Sequence, residues 1–132
     1  MTLAFCLLAL LATSSNARAD FTMSGPEEAK TSAEILKCAE KDDVQGGLRR
    51  EPKVSTAEYR SPHRKAFVAW YNPYSGKAAC HVYVYVHDDK KGVWVRKVAS
   101  VFRGTSDVSV EFGDGVTIRD RNGKVIHRDP AE

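Results

Sequence analysis

No motif that specifies a reaction occurs in these 132 residues. A nucleophile elbow, a glycine-rich phosphate loop, HExxH and CxxC are all missing, so serine-hydrolase, nucleotide-binding, zinc-peptidase and dithiol chemistry have no basis in sequence. Like-charged blocks of five or six residues are missing as well, which argues against a nucleic-acid tail and a polybasic membrane patch. No Asn-x-Ser/Thr acceptor for N-glycosylation exists, and no segment repeats at a fixed period.

Long apolar runs are scarce too. The one present, Leu3 to Ala12, is ten residues, well short of the roughly 20 that cross a bilayer core. It passes into polar Thr13 to Asn16 and then Ala17-Arg18-Ala19, the order of an export signal and its small-x-small cleavage site. Its n-region, Met1-Thr2, carries no Lys or Arg. Bulky Phe5 before Cys6 argues against lipid anchoring. The reading is a signal peptide at 1–19 and one small domain at 20–132, working in the periplasm or outside the cell, with no membrane span in the mature chain. Arg18 is the only charged residue in the signal, which leaves the mature part nearly neutral, 19 basic against 17 acidic.

Cysteine is rare, and Cys6 would leave with the signal. Cys38 and Cys80 remain, and two thiols in an oxidising space are expected to pair. The bridge would close about 43 residues and, on chain entropy, contribute roughly 4 kcal/mol. Ser24 and Glu27 form a capping-box pattern with Pro26 in the first turn, predicting a helix to about Glu40. Ile35, Leu36, Cys38 and Ala39 lie on its apolar side, and Asp42-Asp43 and Gly46-Gly47 end it. Past Lys53 the chain alternates β-rich runs with turn residues. Strands are predicted at 54–59, 65–71, 78–87, 93–102, 107–112, 115–120 and 124–128, with a two-residue turn at Asn122-Gly123. The fold class is α+β: one N-terminal helix packed on a twisted antiparallel β-sheet or partly closed barrel, held by a single disulfide.

Setting Tyr71 opposite Lys77 and Val86 opposite Val93 puts Ala66, Val68, Trp70, Cys80, Val82, Val84, Val95, Ala99 and Val101 on one face. Lys97 is the misfit there. The face is expected to be the core that meets the helix through Cys80. The other face gathers Phe67, Tyr71, His81, Tyr83, Tyr85, His87, Trp94 and Arg96, residue types suited to stacking on sugars or receiving a protein. Alternating Val108, Val110 and Phe112 favour its burial under the later strands; left open, it is a binding surface.

Catalytic residues are not selected. His81 and His87 stand six residues apart on one strand, roughly 20 Å, too far to share a metal. His87-Asp88-Asp89 and Asp120-Arg121-Asn122-Gly123 read as solvated hairpin turns rather than cation loops, and His63-Arg64-Lys65 as a solvated strand entry. Glu58, Asp107 and Glu111 are carboxylates that could converge. No metal or other cofactor and no nucleic-acid partner is expected. In outline, a small exported helix-plus-sheet domain with one disulfide resembles periplasmic lysozyme inhibitors and immunity proteins against wall-degrading toxins. That resemblance implies inhibitor-like binding.

The resulting expectation is a non-enzymatic binding protein that engages a protein or glycan through Tyr74, Tyr83, Tyr85, Trp94 and Arg96. Two alternatives stand beside it: a small secreted hydrolase or nuclease using His81 or His87 with nearby acids, and a structural envelope protein.

Overall fold

Thr31 opens the helix. Its Oγ1 accepts from the Glu34 amide at 3.2 Å, and Glu34 Oε2 accepts from the Lys30 amide at 2.9 Å, so the capping box is Thr31-Ser32-Ala33-Glu34 rather than one built on Ser24. The computed structural model describes residues 25–47, 50–73, 78–113 and 115–129; the expected signal at 1–19, Ser24 and Tyr74 lie outside the described residues. Within them the helix, α1, is Ser32–Gly47 and follows a short strand, β1, Glu28–Ala29. Pro26 and Glu27, expected in the first helical turn, therefore precede the helix. At the other end, α1 runs through Asp42 and Asp43 because tertiary partners take their carboxylates. Tyr83 Oη donates to Asp42, and the Lys53 amide donates to buried Asp43 at 2.6 Å.

The seven remaining strands fall where turn spacing put them: β2 Ser55–Arg60, β3 Lys65–Tyr71, β4 Ala79–Asp88, β5 Val93–Arg103, β6 Ser109–Phe112, β7 Val116–Arg119 and β8 Val125–Asp129. They form two antiparallel sheets, ordered β1-β5-β4-β3-β2 and β6-β7-β8. Neither closes into a barrel. The last hairpin is a three-residue connection, with Gly123 at φ 86° and its amide donating to Asp120 O, instead of the expected two-residue turn.

Register decides the rest. Tyr71 pairs with His81 and Val86 with Val95, both displaced by an even number of residues from the expected alignment, so each side chain up to Arg96 keeps its face. Between the pairs Tyr85–Arg96 and Val84–Val98 a bulge leaves Lys97 as the extra residue. The misfit lysine is thus where the pleat changes phase, and Val98 and Phe102 replace Ala99 and Val101 on the valine face.

The result is three layers. α1 and β1 cover the tyrosine face, burying Ala29, Ile35 and Ala39 against Phe67, Ala69, Tyr71, Tyr83, Tyr85 and Trp94. The second sheet covers the valine face, where Val108, Val110, Val116 and Ile118 meet Val68, Cys80, Val82, Val84 and Val98. This overturns the expected disulfide. Cys38 packs with the helix layer and Cys80 points into the other, so the sheet separates them, and both are free thiols. Burial pushes the Cys80 thiol up to about 12, helped by the Asp107 carboxylate. Burial also raises the Cys38 thiol, with Asp42 and Glu34 adding to it. Neither is an activated nucleophile.

Candidate functional site: a groove where the two sheets part

Of the residues expected to bind, Tyr83, Tyr85 and Trp94 are buried inside the protein and Arg96 is half-buried beside them. Tyr83 and Tyr85 are 0% exposed and Trp94 is 8% exposed. Tyr85 Oη donates to Pro26 O at 2.6 Å, and burial pushes its phenol up to about 12. Arg96 Nη1 donates to Gly25 O at 2.5 Å and its amide to Glu27 O at 2.9 Å. Segment 25–29 is thus pinned across the tyrosines, and Gly25 is required there. A Cβ on it would stand 2.7 Å from Tyr85 Oη and 2.9 Å from the Tyr83 ring. Trp94 packs edge-on to His87 at 4.9 Å and to Phe67 at 6.3 Å, with Lys65 Nζ 5.6 Å from its centroid. The tyrosine face is therefore covered by α1 and residues 25–29, not by strands 107–128.

The accessible feature lies at one end of the sheets. In an antiparallel meander alternate turns share an end, so the β2–β3 turn and the β4–β5 turn come together there. With Gly113 and Asp129 of the second sheet they enclose a groove of about 1230 Å³. Val86 and Val95 line its apolar part, beside Lys97. Its rim is ionic and mixed: Glu28, Asp88, Asp89 and Asp129 against Arg64, Lys90 and Lys91, with His63 and His87.

Several rim groups are held in place. Asp88 Oδ1 accepts from the amides of Lys90 at 3.0 Å and Lys91 at 3.2 Å, and the Gly92 amide donates to Asp88 O at 2.8 Å. These bonds explain Asp88 as turn chemistry. Arg64 bridges the layers: Nη1 donates to Gly113 O at 2.9 Å while the guanidinium lies 4.8 Å from the Phe112 centroid. His87 Nδ1 and Asp89 Oδ1 are 2.5 Å apart.

The other expected chemistry disperses. His81 is buried beside Tyr71, whose hydroxyl is 3.1 Å from Nδ1. Burial lowers its pKa to about 4, with Asp43 opposing the shift and Arg103 adding to it. Asp107 Oδ1 accepts from Trp70 Nε1 at 2.7 Å, Glu111 pairs with Arg119 at 2.5 Å, and Glu58 pairs with Phe67 across β2–β3, on the opposite face from those layers. The three carboxylates do not converge. Asp120 Oδ1 accepts from the Asn122 and Lys124 amides, both at 2.9 Å, which accounts for that loop without a cation. Among the described residues no cluster of His, Cys, Asp or Glu is arranged to hold a metal ion, and no helix is long and apolar enough to cross a membrane. Comparison with protein-family models, curated proteins and solved structures finds no match to this chain.

Proposed function

We propose that the chain is an exported, non-enzymatic binding protein that holds a segment of another protein in the groove between the β2–β3 and β4–β5 turns. Export rests on the signal-like residues 1–19. The observation that supports binding is the groove itself, apolar along Val86 and Val95 and rimmed by both signs of charge. Such a rim complements a polypeptide with its own mixed charges. A glycan is less well served, because stacking needs open aromatic faces and Tyr83, Tyr85 and Trp94 are buried.

The test is capture from the extracellular or periplasmic extract, with Asp89→Lys/Lys90→Glu as the variant. Both side chains are exposed, so the fold is expected to keep its urea midpoint. Wild type is expected to capture one protein stoichiometrically and the variant at least about tenfold less, since reversed rim charges oppose the partner's. Equal capture by both would remove the groove from the reading.

One observation favours a second reading. His87 lines the groove and its Nδ1 is bonded to a carboxylate, the pairing that steadies a general base. A hydrolase of this kind would lose its activity in His87→Ala, and activity that survived the substitution would exclude it.

A further inference from the structure

We infer that the chain forms a symmetric dimer through the outer edge of β2, with a second copy supplying the strand that extends the sheet. The sheet order ends at β2, so one side of Ser55–Arg60 is unpaired among the described residues, and an unpaired edge is a template for another strand. The opposite edge is guarded. There β1 covers β5 at Trp94 and Val95, and the bulge breaks the strand at Lys97. β2 has neither device: its six rungs to β3 run without a register shift, and no proline lies within it. None of its residues lines the groove, so the interface stands whether or not the groove holds a protein.

Pairing with β3 fixes which groups this edge offers. The Ser61 amide donates to Arg64 O at 2.8 Å, which makes Ser61 and Arg64 a hydrogen-bonded pair, and such pairs alternate along an antiparallel ladder. Tyr59, Ala57 and Ser55 therefore turn their amides and carbonyls to β3, while Arg60, Glu58 and Thr56 turn theirs outward. A second copy running antiparallel about a twofold axis must match outward residues with outward ones. Centring the axis on Glu58 or on Arg60 sets like charges directly opposite each other, and centring it on Ala57 sets both charges opposite uncharged Thr56 and Val54. Centring it on Tyr59 puts Glu58 against the partner's Arg60 and Arg60 against the partner's Glu58. The two Tyr59 side chains then meet in a non-hydrogen-bonded pair, where cross-strand side chains stand closest. Glu58 and Arg60 are exposed, and neither is in an ion pair among the described residues. Arg60 also faces like-charged Lys65 on β3, a repulsion that the partner's Glu58 offsets.

Sedimentation equilibrium of the full chain across a range of concentrations tests the dimer, and the mass is expected to rise to twice 14.6 kDa. Glu58→Arg and Arg60→Glu each set like charges opposite one another and should each weaken association at least about tenfold. Glu58→Arg/Arg60→Glu exchanges the charges and should restore it, because in the Tyr59-centred register the exchanged residues are again complementary. All four proteins should give the same far-ultraviolet circular dichroism, since both side chains are exposed, which separates lost association from lost folding. In wild type the Glu58 and Arg60 amides should exchange with solvent more slowly as concentration rises. A chain that stays monomeric would overturn the dimer and leave the edge to a strand of another protein. A dimer that either single reversal leaves intact, or that the exchanged pair fails to restore, would overturn this interface. Slow exchange of those two amides in a monomer would mean that the chain's own residues cover the edge, and would overturn it as well.

Discussion

Tyr83 and Tyr85 show how one side chain can read as surface in sequence and be core in the fold. Each carries an apolar ring and a hydroxyl, and each hydroxyl reaches a partner at the rim of the helix layer, Asp42 and Pro26 O. Tyr83→Ala is therefore expected to cost about 3–5 kcal/mol in urea unfolding, in place of the loss of binding on an intact fold that an open face would give. His81 supplies a pH dependence. Its imidazole is held at about 4, mainly by burial, with Asp43 opposing and Arg103 reinforcing, against about 6.5 in the unfolded chain. Between those values the unfolded chain binds more protons. Stability is then full above pH 6.5 and falls by about 3 kcal/mol as the pH drops towards 4. Urea midpoints measured across that window check this, and His81→Gln should flatten that part of the profile.

At the scale of elements, α1 begins later and ends later than the predicted helix, which started from the Ser24–Glu27 pattern and ran to about Glu40. Two sequences fit a capping box, Ser24 to Glu27 and Thr31 to Glu34, and the structure forms the second because residues 25–29 are committed to the edge of β5 and to the tyrosines. Thr31→Ala should cost about 1 kcal/mol in the same assay. Gly25→Ala should cost about 1–3 kcal/mol, since the nearest contacts to the added Cβ are two buried tyrosines that have little room to move. The strands were legible in sequence because Gly, Pro, Asn and Asp punctuate them, whereas β1 was not, being only two residues long. Its place is set by pairing with Val95 and Trp94.

For the molecule as a whole, the separation of Cys38 from Cys80 by a full sheet predicts that a reductant leaves the urea midpoint of the folded chain unchanged. Stability must then come from two apolar layers instead of a crosslink. Ile118→Ala, at a fully buried position between the sheets, is expected to cost about 2–5 kcal/mol. The groove is also a property of the whole. The gaps between predicted strands at 60–64 and 88–92 were visible in sequence, but their meeting with Gly113 and Asp129 depends on how the second sheet lies across the first.

The sequence by itself determined the strands from β2 to β8, the two alternating faces as far as Arg96 and the apolar side of the helix, because side-chain period and turn chemistry are local. It did not determine which layer covers which face. A strand with apolar residues on both sides carries no local mark of whether a helix or a second sheet will meet each one. Only the tertiary structure decided that the helix takes the tyrosines and the second sheet the valines. That choice parts the cysteines, hides the aromatic residues, and leaves the turn residues as the accessible ionic surface at the groove.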